Sequence, residues 1–328
     1  MAMTEQAPYY AQFGQMEGTI FYLILKDLKA EGMEELADKL EGTMKYRAIH
    51  WSALKFPFGS EMPWDSTGQE EVYIWSYCFG YLEKAEVTLN AILGYMPSIP
   101  GWAYNGNARR YWDFLYAGKT KRIERMIHHY GSELNAIPVL HAYRRSPDNF
   151  YLLQVGYGGY LGGISNIEED GFAPVAFHAY PSTLKNDAYS GDYGSGFFGY
   201  ALNSATYLVK HDDFGWLAFG GNISGTNKIV RLHPITASAN RVFIQPEGLW
   251  IQLDAGKIKT ISYNKKNGQI DIILDKKGLY NGEAYMTLEY PEDDQLSEKY
   301  KPVKTLQKRN NKFIIKLSEK DTKVSLIK

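Results

Sequence analysis

Three stretches of this sequence carry side chains whose types and spacing suit chemistry on a sugar. The first runs from Glu61 to Tyr73 and holds Glu61, Trp64, Asp65, Glu70 and Glu71, in a loop that leads into a helix. Hydrolysis of a glycosidic bond needs two carboxyl groups in different environments, one keeping its proton and one ionised. A helix N-terminus favours the ionised form. Glu70 is accounted for as the capping-box partner of Thr67, three residues earlier. Asp65 and Glu71 have no such account beyond solvated loop charge, and they are the sharper catalytic candidates.

The second stretch holds His178, Tyr180, Asp187, Asp192 and Tyr193, with glycines at Gly191, Gly194 and Gly196. Its acids stand alone among rings and glycines. Asp192 is the candidate partner carboxylate, against the plainer reading of an Asx-turn residue. His178 and Tyr180 suit the base and acid of a uronate lyase, an alternative chemistry, although a lone histidine is more often structural. The third stretch interleaves Trp102, Tyr104, Asn105, Asn107, Arg109, Arg110 and Trp112. Rings stack on sugar C–H faces, amides meet hydroxyls and Arg109 suits a carboxylate. Packing at a helix N-terminus with surface arginines explains the same residues. The expected substrate contacts are Trp64, Trp102, Tyr104, Arg109, His178, Tyr180 and Tyr193.

Other chemistries lack their motifs. The run from Asp192 to Gly196 is no nucleophile elbow, because position 193 is tyrosine. Gly156 to Gly162 superficially has dinucleotide-loop glycines but sits in a helical stretch with no strand before it. Glu124 and His128 are a weak metal pair, and the adjacent His128 and His129 point to different helix faces. No cofactor and no metal are expected. Cys78, the single cysteine, lies in an apolar run and reads as a small buried hydrophobe.

Composition bounds the rest. The chain has 328 residues, enough for two domains or one with an appendage. Hydrophobic residues are 45 % and charged ones 22 %, which argues against bulk disorder. The net charge of -1 gives no general pull on nucleic acid or anionic membrane. No apolar run is long enough to span a bilayer, and no signal peptide is visible at the N-terminus. The compartment stays open. Aromatics at 15 % suit either a ring-rich core or a stacking surface.

The elements that must position these groups are helical first and β-rich later. Periodicity predicts helices over 15–41, with a break at Gly32, over 67–93, near 108–116, over 120–145, over 148–165, where glycines suggest close helix contact, and over 196–210. Long loops separate them. After Asp213 short alternating runs appear at 241–245, 249–253, 257–263, 269–274, 284–290, 312–317 and 323–327, with a hairpin turn at Asn267 and Gly268.

The segments from Trp64 to Tyr73, Gly191 to Gly194 and Gly215 to Gly221 resemble the C-terminal part of large bacterial proteins of an uncharacterised family, which look like α/α-toroid carbohydrate-active enzymes with flanking β domains. The resemblance implies an α+β chain: a partial or complete α/α toroid over 1–213, then an antiparallel β domain over 214–328. It implies a glycoside hydrolase acting on an oligo- or polysaccharide, with a uronate lyase or a non-catalytic glycan-binding scaffold as alternatives. The helices fall short of a closed toroid, so a fragment, an incomplete toroid or a homo-oligomer that completes the site all fit.

Overall fold

The computed structural model describes residues 18–53, 66–95, 126–164, 177–179, 204–275, 283–289, 301–302, 306–309, 312–318 and 320–327. The chain divides into two compact units. One comprises residues 1–143 and 149–201, the other 144–148 and 202–328.

The first unit contains helices α1 (Gly18–Ala30), α2 (Glu34–Ser52), α3 (Ser66–Cys78) and α4 (Leu82–Tyr95), most of α5 (His129–Arg145), and α6 (Phe150–Ile164). Gly32 and Gly80, both at positive φ, separate α1 from α2 and α3 from α4. On α2 the buried residues Ala37, Met44, Ala48 and Trp51 recur at helical spacing and form one stripe. Helix α3 differs, because every residue from Gln69 to Ser76 is buried. Helices α1, α2 and α4 pack around it, and α5 reaches it through Asn135 and His141. Gly156 of α6 lies against Leu140 of α5, the close approach expected of that glycine-rich run.

Two short strands, β1 (Met126–His128) and β2 (Phe177–Ala179), pair antiparallel in the same unit, with Ile127 opposite His178.

This arrangement corrects the expected fold class. Among the described residues the helices are short, they gather about α3, and no toroid is evident. Periodicity reports that a segment buries one face. It carries no instruction to close a ring of helix pairs. Two local expectations also change. The run over 67–93 is broken at Gly80, and the helix expected over 196–210 is extended from Thr206 onward.

The second unit is built from β3 (Thr206–His211), β4 (Gly215–Phe219), β5 (Gly221–Gly225), β6 (Ile229–Pro234), β7 (Arg241–Ile244), β8 (Leu249–Leu253), β9 (Lys257–Asn264), β10 (Ile270–Asp275), β11 (Glu283–Glu289), β12 (Lys301–Pro302), β13 (Leu306–Arg309), β14 (Lys312–Ser318) and β15 (Lys323–Ile327). They form a seven-stranded sheet in the order β13-β14-β11-β8-β7-β3-β4 and a six-stranded sheet in the order β12-β15-β10-β9-β6-β5. Every pairing in them is antiparallel except β3 with β7.

Alternation, interrupted by a bulge on β9, explains the packing. Leu249, Ile251 and Leu253 point inward from the larger sheet, while Ile258, Ile261, Ile270 and Ile272 do so from the smaller. They meet in one shared core, so the unit is sandwich-like. Each such side chain stabilises by about 1.5–3 kcal/mol when fully buried. Within this unit the Arg144 guanidinium lies 4.7 Å over the Trp250 ring and 3.4 Å from the Tyr207 hydroxyl.

The core position Ile251 and the edge position Ile223 should therefore respond differently to truncation. In urea denaturation, Ile251→Ala should lose about 2–5 kcal/mol. Ile223→Ala, 39 % exposed on edge strand β5, should stay within about 0.5 kcal/mol of the parent. Equal losses at both sites would contradict the shared-core assignment.

Candidate functional site

Among the described residues, the densest collection of buried polar groups in the helical unit lies on α3. Glu70 and Glu71 are each 1 % exposed, and Gln69, Ser76 and, on α5, Asn135 are fully buried. Adjacent residues on a helix point about 100° apart, so the two carboxylates serve different neighbours.

Glu70 faces the start of α1. Its Oε1 accepts a hydrogen bond from the Thr19 backbone N–H at 2.7 Å and another from the Thr19 hydroxyl. The first N–H groups of a helix have no partner within it. Glu70 supplies one to α1 from a different helix. Burial pushes its pKa up to about 7, against the opposing pull of the Thr19 and Gly18 donors. Its expected role as a capping-box partner of Thr67 is thus replaced: α3 begins at Ser66, and Glu70 caps α1 instead.

Glu71 faces α2. Its Oε1 lies 2.9 Å from Nη2 of Arg47, without the alignment of a hydrogen bond. The Arg47 guanidinium sits 5.5 Å from the Trp51 ring and 5.4 Å from the Trp75 ring, which are themselves 5.7 Å apart. Burial holds Glu71 well above the usual carboxylate range; Arg47 pulls it down and Glu70 pushes it further up. Burial likewise lowers the Arg47 pKa, opposed by Glu71. The cluster closes on α1, where the Trp75 indole N–H donates to the Gly18 carbonyl at 2.8 Å. A Cβ at Gly18 would lie 2.5 Å from the Glu71 Cα, so this approach requires glycine.

A second seam joins α3 to α5. Asn135 Nδ2 donates to Gln69 Oε1 at 3.4 Å. The His141 ring meets Tyr73 and Tyr77 edge-on, at 5.7 and 5.2 Å.

Of the residues singled out in the sequence, Glu71 is therefore enclosed and ion-paired, which suits a positioning group more than one that meets substrate. His178 lies on β2, paired through its backbone. Asp65, Asp192, Trp64, Trp102, Tyr104, Arg109, Tyr180 and Tyr193 lie outside the described residues. Sequence reasoning passed over Thr19, Arg47, Trp51 and Trp75. One signal was available: Arg47 with Trp51 and Glu71 with Trp75 are both i,i+4 pairs, which share a helix face. Among the described residues no group of three His, Cys, Asp or Glu side chains is arranged to hold a metal ion.

Over residues 1–325 the sequence matches the profile of a family of unknown function, DUF5695, and the chain belongs to that family. No curated protein and no solved structure matches it.

Two outcomes follow from this buried charge. Arg47→Met leaves Glu71 enclosed without its cation and should cost about 3–5 kcal/mol in chemical denaturation, whereas Arg47→Met combined with Glu71→Leu should recover much of that loss. A double variant no better than the single one would show that the pair contributes little. The second outcome concerns pH. Glu70 has a folded pKa above its unfolded value, so folding takes up a proton there. The resulting stability is full below about pH 4.5 and is lost as pH rises through about 7. The stability difference between the parent and Glu70→Gln should therefore shift by on the order of 3 kcal/mol across that window, to the parent's disadvantage at high pH. A pH-independent difference would place the Glu70 proton elsewhere.

Proposed function

We propose that this protein is a glycoside hydrolase acting on an oligo- or polysaccharide, with Asp65 and Asp192 as its carboxylate pair and Glu71 as a positioning residue. The observation that carries the reading is the charge enclosed on α3. Burying two carboxyl groups and a guanidinium is costly whether the carboxyls stay ionised or, as burial drives them, hold a proton. Apolar residues would fill the same volume at less cost. What the ionic cluster adds is direction: Glu70 fixes α1 through its N-terminal N–H groups, and Glu71 fixes α2 through Arg47. Both operate within five or six residues of Asp65 along the chain. A catalytic carboxylate works only if its geometry is held to a fraction of an ångström, and rigid surroundings serve that need.

In the proposed mechanism one carboxyl protonates the leaving-group oxygen. The other attacks the anomeric carbon or activates the water that does so. The rings of Trp64, Trp102, Tyr104 and Tyr193 would stack on sugar faces, and Arg109, His178 and Tyr180 would meet hydroxyls or a carboxylate.

Asp65→Asn, Asp192→Asn and Glu71→Gln should be compared on a panel of aryl glycosides and oligosaccharides, with melting temperatures measured alongside. The two aspartate variants should lose about 10²–10⁴-fold in turnover while melting like the parent. Glu71→Gln should change the melting temperature as well as the rate. Parent-like rates in both aspartate variants would assign the chemistry to other groups. Glycan binding by the parent without turnover of any substrate would make the protein a glycan-binding module.

A further inference from the structure

We propose that the solvent face of the six-stranded sheet, centred on Arg231, His233 and Lys259, binds an extended acidic polysaccharide through the carboxylate or sulfate groups of successive sugars. The inference rests on the carbohydrate reading above and adds the charge class of the substrate.

The face is set by register. Across β5, β6, β9, β10 and β15, the residues Ser224, Arg231, Ser262, Asp271 and Ser325 are direct cross-strand partners. They form one row running perpendicular to the strands. Adjacent strands lie about 4.8 Å apart, so the row presents a polar group at each such step over roughly 19 Å. The buried alternates Val230, Leu232, Ile261, Ile270 and Ile272 lie in the sandwich core, so this row is on the opposite, solvent side. Beside it, His233 joins two hydroxyls: Ser224 Oγ lies 3.2 Å from Nε2, and Thr260 Oγ1 lies 3.2 Å from Nδ1.

A β-bulge adds the second cation. Ile273 pairs with Thr260 and Leu274 pairs with Ile258, so Lys259 is the extra residue on β9. Between the buried Ile258 and Ile261, both Lys259 and Thr260 are turned out of the core. Bulges commonly re-aim a side chain in this way.

Charge on the face is uneven. Asp271 accepts from the Ser325 hydroxyl at 2.6 Å and pairs with Lys323 at 3.1 Å, which holds its pKa below the ordinary value despite burial. The one carboxylate in the row is therefore already matched. Arg231 and Lys259 have no ion pair among the described residues. Arg231 stands between Ser224 and Ser262, a cation flanked by two hydroxyl donors. Such a set can grip a carboxylate or sulfate through charge-assisted hydrogen bonds. The hydroxyls of the row and the His233 imidazole beside it can meet the sugar hydroxyls between successive anions.

The test uses the full chain in affinity electrophoresis and titration calorimetry. The probes are polygalacturonate, a heparin preparation, neutral dextran and a DNA duplex, and the variants are Arg231→Ala, Lys259→Ala and their combination. Polygalacturonate or heparin should retard the parent and dextran should not. The double variant should lose at least tenfold in affinity with an unchanged melting temperature, and Arg231→Lys should restore part of it. Preference for polygalacturonate or for heparin identifies carboxylate or sulfate as the recognised group. Retardation by dextran equal to that by the acidic polymers, affinity for DNA matching both acidic glycans, no retardation by any acidic glycan, or undiminished binding by the double variant would each overturn the proposal. Acidic-glycan binding lost with the double variant, in a protein that cleaves no glycan, would leave this surface standing and remove the hydrolase. Hydrolysis of neutral glycans alone, with no acidic binding, would do the reverse.

Discussion

The helical unit depends on how two adjacent carboxylates are accommodated inside α3. Glu70 and Glu71 cannot share a partner, because consecutive helical residues diverge. Each therefore binds a different helix: Glu70 takes the orphan donors at the start of α1, and Glu71 takes Arg47 of α2. The remaining packing is arranged around this. The guanidinium lies against both Trp51 and Trp75, which also touch each other, Trp75 donates a hydrogen bond to the Gly18 carbonyl, and Gly18 has no side chain because the Glu71 backbone occupies that space. Removing Arg47 takes away the cation beside Glu71, and removing Glu70 takes away the acceptor of the Thr19 donors. That makes the cluster a specifier of geometry more than a source of net stability.

What was legible in the sequence depended on whether the signal was local. The strands from residue 241 onward follow their alternation closely. Leu249–Leu253 and Lys323–Ile327 fall where the pattern puts them, and Asn267 and Gly268 turn the chain between β9 and β10. Alternation works there because each strand has one face in the core and one in water. Helix α3 had no such contrast. Its middle is buried on all sides, so its residues show no stripe, and its polar side chains read as loop charge or as a cap for their own helix. The capping-box pattern points to Thr67, but the N–H that Glu70 accepts from belongs to a helix some fifty residues earlier. Local periodicity does not report that pairing. The toroid failed for a related reason: ring closure is a long-range property, and helix periodicity is a short-range one.

The candidate site divides along the same line. Glu71 was singled out because it had no local explanation, and the structure supplies a distant one in Arg47. Asp65 and Asp192 are likewise carboxylates to which the sequence gives no local partner. Their standing rests on the chemistry of their neighbours along the chain, Trp64 and Tyr193, and on the rigidity that the α3 cluster confers a few residues beyond Asp65.

The β unit meets charge in the opposite way. Its core is almost wholly aliphatic, and the buried Glu247 is matched by the Tyr263 hydroxyl at 2.7 Å. Charge is moved to the solvent face, where Asp271 is neutralised by Lys323 while Arg231 and Lys259 keep no ionic partner among the described residues. Exposed cations contribute almost nothing to folding, since surface pairs are worth about 0–1 kcal/mol and isolated charges less. Stability thus gives no reason for a bulge that turns Lys259 out of the core, or for hydroxyls on either side of Arg231. Recognition does. A sheet places its side chains at the regular spacing of its strands, and a repeating polymer is the ligand whose own period can use that regularity.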